Sequence, residues 1–196
     1  MKALIDQEAG TLPSSSASPA ASGKTGDWSR DLITHTGLMV HIRPVRDDDE
    51  AALADFFKHV SPEDLRFRFL GGVKEVSHER LVAMTHVDHR QTENFVAFAA
   101  DGKSIIATGM LACDPSLDTG EVAISVRADY KHKGVSWELL RHIARYAEAK
   151  GVKTLESIES RQNHEAIMLE QEQGFTAESH PDDATLVLIR KQLRPA

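Results

Sequence analysis

The stretch "DYKHKGVSWELL", Asp129–Leu140, joins a charged turn with a single glycine to an apolar pattern at helical spacing. Val135, Leu139, Leu140, Ile143, Ala144 and Ala147 fall on one helical face, and Gly151 stands where that helix should stop. Upstream, "GEVAISVRA" (residues 120–128) reads as a strand. A strand that ends in a glycine-bearing turn feeding a helix leaves several backbone N–H groups without partners. With the helix dipole they make an anion site, best suited to phosphate. Lys131, His132 and Lys133 add positive charge beside it. Gly134 lets the backbone approach closely or take an unusual dihedral. A plain solvated helix start is the competing reading of these twelve residues.

Working outward, "LMVHIRPV" (38–45) alternates apolar and polar residues as a strand does. "DDDEAALADFFKHV" (47–60) places acidic residues in a first helical turn, where the dipole favours them. "SPEDLRFRFL" (61–70) predicts a second helix, with Ser61 as cap, Pro62 at its first position and Asp64 at its third, a pattern like a capping box. "SHERLVAMTHV" (77–87) predicts a short helix capped by Ser77. "NFVAFAA", "SIIATGMLACD" and "GEVAISVRA" read as three successive strands. Asp101-Gly102 and Thr119-Gly120 would make the turns, so the strands should be antiparallel hairpins. After the long helix come a strand in "KTLESIES", a helix in "NHEAIMLEQEQ" stopped by Gly174, and strands in "GFTAES" and "ATLVLIRKQL". The order implies a mixed α/β or α+β sheet with helices on both faces.

Residues 1–36 read as a disordered tail, because "TLPSSSASPAASGKTG" cannot bury enough apolar surface to offset its ordering entropy. Residues 37–196 read as one domain, and 41% hydrophobic residues suffice for its core. The formal charge of −7 argues against a nucleic-acid binder. No apolar run approaches the roughly 20 residues that a membrane helix needs, and the N-terminus lacks the apolar stretch of a signal peptide. Cys113 is the only cysteine, so no internal disulfide forms; set in "ATGMLAC", it reads as a buried, inert thiol. These features suit a soluble protein of the reducing cytoplasm. The ten histidines show no metal-ligand spacing, so no metal is expected.

Two segments together carry a resemblance. The turn Lys131-x-x-Gly134-x-Ser136 resembles the Arg/Gln-x-x-Gly-x-Gly/Ala turn with which the GNAT acyltransferase superfamily wraps the pyrophosphate of acetyl-CoA, with lysine and serine as the departures. Asn163, Ala166, Leu169, Gly174 and Phe175 fit that superfamily's later Asn-x-x-Ala-x-x-Leu segment ending in Gly-Phe, and Glu170 stands where many members carry a tyrosine. The resemblance runs from Val40 to Leu193 and implies a GNAT-like, mostly antiparallel sheet. "IRPVRDDDE", "SPEDLRFRF", "THVDHRQTENFVAFA" and the Glu-x-Ala-x-x-Val run from Glu121 to Val126 resemble the bacterial protein lysine acetyltransferases that modify acyl-CoA synthetases.

The resemblance implies acetyl-CoA as cofactor and an amine acceptor, on a protein or on a small molecule. It places cofactor contacts at Ser125, Val126, Lys131, His132, Lys133, Gly134, Val135, Ser136, Trp137 and Asn163. Asn163 could instead cap the helix it begins, and Trp137 could simply pack. Acetyl transfer needs a deprotonated amine, a stabilised oxyanion and a proton or other partner for the departing thiolate. Glu121 takes the place of the general base, and a backbone N–H near Ser125 or Val126 that of the oxyanion donor. Glu170 reads as a solvated residue in "LEQEQ"; it could donate a proton only if burial raised its pKa. Arg66, Arg68, Asp88 and Glu93 lie in the narrower resembling segments and either shape the acceptor groove or form ordinary surface ion pairs. A CoA-sensing module without turnover is a further reading.

Overall fold

The computed structural model describes residues 28–193. Among these residues, eight strands form one sheet: β1 (Arg30–Ile33), β2 (Met39–Pro44), β3 (Thr92–Phe98), β4 (Ile105–Cys113), β5 (Thr119–Val126), β6 (Thr154–Ser160), β7 (Thr176–Ser179) and β8 (Leu186–Gln192). Their order across the sheet is β1-β2-β3-β4-β5-β6-β8-β7. Every neighbouring pair is antiparallel except β5 and β6, which run parallel. Parallel neighbours need a crossover, supplied by helix α4 (Val135–Ala149).

Among the described residues, five α-helices flank the sheet. The others are α1 (Glu50–Lys58), α2 (Pro62–Phe69), α3 (His78–Thr85) and α5 (His164–Glu172). Two apolar clusters divide them between the faces. One face packs Val135, Leu139, Leu140, Ile143 and Ala147 of α4 against Phe95, Leu111, Val122 and Leu155, with Ile167 and Leu169 of α5 beside them. The other packs Leu53, Phe56 and Phe57 of α1, Leu65 of α2 and Leu81 and Met84 of α3 against Val96 and Phe98. Helix α4 lies close on β4 because Gly109 has no side chain: a Cβ there would sit 2.5 Å from Ile143 Cδ1. The predicted apolar face of α4 is the buried one, each fully buried Leu or Ile contributing about 1.5–3 kcal/mol.

Local signals behave as their chemistry predicts. The Ser61 and Ser77 hydroxyls accept the amides of Asp64 and Arg80 at the starts of α2 and α3. Gly151 and Gly174 take φ of 83° and 86° after α4 and α5. Three details differ. The β4–β5 turn is made by Asp114–Asp118, where Asp114 accepts the amides of Asp118 and Thr119; Thr119 and Gly120 already belong to β5. Asn163 sits before α5 but makes no capping bond. Residues 28–36, read as the end of the tail, include β1, and Trp28 packs edge-on against His142 and Tyr146. The rest of the proposed tail, residues 1–27, lies outside the described residues.

Candidate active site

The site begins where the sheet comes apart. β5 pairs with β6 only through Thr119–Thr154, Gly120–Leu155 and Glu121–Glu156. Beyond Glu121, β5 keeps its partner β4 as far as Val126, and β6 keeps β8 as far as Ser160. The alternate amides of β5 that face β6 therefore have no strand partner past Glu121 among the described residues. The gap widens into a cleft of about 470 Å³ bounded by β5, β6, α2, α5 and the start of α4.

Strand alternation puts Glu121, Ala123 and Ser125 on the α2 side of the sheet, and Leu155, Ser157 and Glu159 on the α4 side. Glu121 stands at the apex of the gap and lines the cleft. Ser125, 5% exposed, lines it too, and its hydroxyl has no hydrogen-bond partner in the protein.

At the mouth lies the turn of the opening stretch. His132 and Gly134 both have left-handed backbones, φ 59° and 79°, a conformation that turns successive N–H groups toward one point. Glycine is required at 134: a Cβ would come within 2.6 Å of His35 Nδ1. His35 belongs to the β1–β2 turn, where the Thr36 hydroxyl donates to the Lys133 carbonyl at 2.9 Å. Lys131 Nζ bonds Asp64 at 3.0 Å and lies 3.4 Å from Glu165. Partial burial works against its charge, but these two carboxylates outweigh it and hold the lysine above its ordinary value.

Of the residues singled out from sequence, Glu121, Ser125, Val126, Lys131, His132, Gly134, Ser136, Trp137, Asn163, Arg68 and Glu170 converge on this cleft. Lys133 lies over the Tyr130 ring, 4.7 Å from its centre, and Val135 is core. Arg66 bonds Gln162 at 3.0 Å and so ties α2 to the β6–α5 turn at the rim. Asp88 and Glu93 are elsewhere. Asp88 accepts the amides of Arg90, Gln91 and Thr92, and Glu93 is buried beside His89 and Tyr146. Asp88 secures its loop and Glu93 holds a core position against α4, and neither lines the cleft.

Glu170 differs most from its sequence reading. It is 6% exposed and lines the cleft, and its Oε2 has no partner in the protein. Burial, followed by the charge of Glu159, pushes its carboxyl well above the ordinary range, and the Ser157 hydroxyl alongside opposes this. Glu159 was missed. It lines the cleft, accepts Asn163 Nδ2 at 2.7 Å, and is itself raised by burial against the opposing effects of Asn163 and Arg68. The signal was present: in "TLESIES", Glu159 shares the parity of buried Leu155 and Ser157, an inward position for a strand. Arg68, on α2, is buried and lines the cleft. Burial lowers its guanidinium to about 10, opposed by the charges of Glu121 and Glu159.

A family model described as the acetyltransferase (GNAT) family matches residues 54–175. The chain belongs to the GNAT acetyltransferase family. It is 31% identical over 185 residues to an acetyltransferase of Pseudomonas aeruginosa, spanning 93% of this chain and 98% of that protein. Its fold matches the GNAT domain of S. lividans PAT with a TM-score of 0.79 at 25% identity, over 85% of this chain and 97% of the other. It also resembles the fold of a Vibrio cholerae spermidine N-acetyltransferase solved with CoA and spermine: TM-score 0.65, 15% identity, 80% and 96% covered. This GNAT protein is thus an acetyltransferase with acetyl-CoA as donor and an amine as acceptor.

The residues of this GNAT chain fit the donor. An extended arm can bond the free amides of β5 and the unpartnered Ser125 hydroxyl, and the turn at 131–136 offers converging N–H groups to phosphate. Bound there, acetyl-CoA supplies an activated acyl carbon. Within the described residues there is no group of three or more His, Cys, Asp or Glu placed to hold a metal. No described helix is long and apolar enough to cross a membrane. Burial pushes the Cys113 thiol up to about 11, which keeps it unreactive.

Proposed function

We propose that this protein transfers the acetyl group to a lysine amine of a protein such as an acyl-CoA synthetase, with Glu121 as general base. The parting of β5 and β6 at Glu121 carries the reading. It puts a carboxylate at the point where an acyl group threaded between the strands would meet an acceptor entering from the α2 side. Glu121 takes the amine's proton directly or through water, and the amides near Ser125 and Val126 hold the developing oxyanion. Lys131, His132, Gly134 and Ser136 receive the pyrophosphate at the mouth. The resemblance of residues 42–50, 61–69 and 85–99 to protein lysine acetyltransferases supports a protein acceptor, and the half-buried, unreactive Cys113 suits a reducing compartment.

A turnover assay of release of the CoA thiol tests this, using lysine peptides and intact acyl-CoA synthetases against polyamines and amino acids. Preference for the protein lysines by kcat/KM is expected. Preference for a polyamine or amino acid would replace the acceptor. Tight acetyl-CoA binding without turnover on any amine would make the chain a CoA-sensing module.

A further inference from the structure

The mechanism above gives no work to the two carboxyl groups on the far side of the seam. Glu170 is more than nine-tenths buried and lines the cleft, and its Oε2 is buried without a hydrogen-bond partner in the protein. Glu159 is fixed beside it by the Asn163 amide at 2.7 Å. The groups around the pair come from every neighbouring element. β6 presents Ser157 and Glu159, α2 presents Arg68, whose charge acts on Glu159 and Glu121, and α4 presents Trp137 and Leu140 to the cleft. Glu170 is buried and Glu159 partly so, and a charge on Glu159 disfavours a second one on Glu170. The asymmetry of the surroundings decides which one ionises. Glu159 has an amide donor and a guanidinium to stabilise its charge, and Glu170 has neither. A carboxyl that keeps its proton is an O–H donor, and Glu170 Oε2 makes no hydrogen bond within the protein.

We propose that Glu159 and Glu170 hold one proton between them and that Glu170 delivers it to the departing thiolate. This rests on the acetyl-transfer reading of the cleft. The acceptor nitrogen's lone pair forms the bond to the acetyl carbon, and the carbon–sulfur bond breaks with its electron pair leaving on sulfur. Sulfur takes the proton from Glu170 Oε2, while the surplus proton on nitrogen goes to Glu121. The protein's proton count is unchanged, and exchange with water resets both carboxyls. Base and acid then stand on opposite sides of the parted strands, Glu121 toward α2 and Glu170 toward α5. Glu170 is the catalytic residue of the pair, and Glu159 is a positioning residue that sets its protonation.

The test is the pH dependence of kcat in wild type, Glu170→Gln and Glu159→Gln, with folding checked by circular dichroism. Glu170→Gln should lower kcat about tenfold or more, leave KM for acetyl-CoA unchanged and abolish the alkaline fall in kcat. Glu159→Gln, which removes the neighbouring negative charge, should move that alkaline limb to lower pH. Wild-type kcat and an intact alkaline limb in folded Glu170→Gln would overturn the proposal with the function standing. If Glu170→Gln does not fold, an unmoved limb in Glu159→Gln overturns it. A wild type that turns over no amine overturns the functional reading itself, and this one with it.

Discussion

At the mouth of the cleft, Lys131 is held by Asp64 and Glu165 within reach of water, one cation with two carboxylates. At its floor, Glu159 faces the guanidinium of Arg68, and Glu170 is buried beside it with no cation of its own. The same residue types give different chemistry in the two places. Near solvent, charges are screened, so the mouth can only tune binding. In the dry floor an excess carboxylate keeps a proton instead, so the floor can carry acid–base work. The mouth should therefore answer to salt and the floor to pH.

The largest effect should come from the seam between them. Glu121→Gln should cut kcat by about 10²–10⁴-fold with little change in acetyl-CoA affinity, measured by steady-state kinetics beside calorimetry. Normal turnover would remove Glu121 as base and with it the line drawn between the two regions. At the mouth, Gly134→Asp puts a side chain into His35 on a left-handed backbone, and a negative charge against phosphate. Calorimetry should show acetyl-CoA binding about tenfold weaker or worse.

The floor is sharpened by stability against pH. A carboxyl whose folded pKa is raised stays protonated in the native state after the unfolded chain has released its proton, from about pH 4.3 upward. Stability then falls as pH rises through that window to the folded value. Glu170→Gln removes this loss, so its melting temperature should gain on wild type more at pH 8 than at pH 5. Equal differences at both pH values would mean the floor is not short of positive charge. The smallest effect belongs to Lys131→Ala. A lysine already shared by two carboxylates should cost about fivefold in acetyl-CoA affinity at low salt, and less in high salt. An effect independent of salt would erase the contrast with the floor.

The elements were legible in sequence because their signals are local. Ser61 caps α2 through one hydroxyl, Gly151 ends α4 through one dihedral, and the face of α4 from Val135 to Ala147 repeats at helical spacing. Most of the mouth was legible for the same reason, since the turn from Lys131 to Ser136 is contiguous. Lys133 and Val135 turn away because successive residues of a turn entering a helix point in different directions. The floor was not legible. Glu170 sits in a polar stretch, and only the placement of α5 against the parted strands buries it. Glu159 enters through tertiary neighbours, Arg68 being 91 residues earlier in the chain. Asp88 and Glu93 lie in a segment that resembles its counterparts in relatives, yet that segment secures a loop and a core position.

The clasp of residues 34–36 on the turn at residues 131–136 bears on where this molecule can be cut. The region that matches the family begins at residue 54, so a truncation at that boundary would discard β1, β2 and the Thr36–Lys133 bond with the His35 wall against Gly134. A minimal catalytic fragment, or a domain swap between relatives, should keep the chain from Trp28 onward. The first residues of the fold and the turn a hundred positions later are one mechanical unit and must be inherited together.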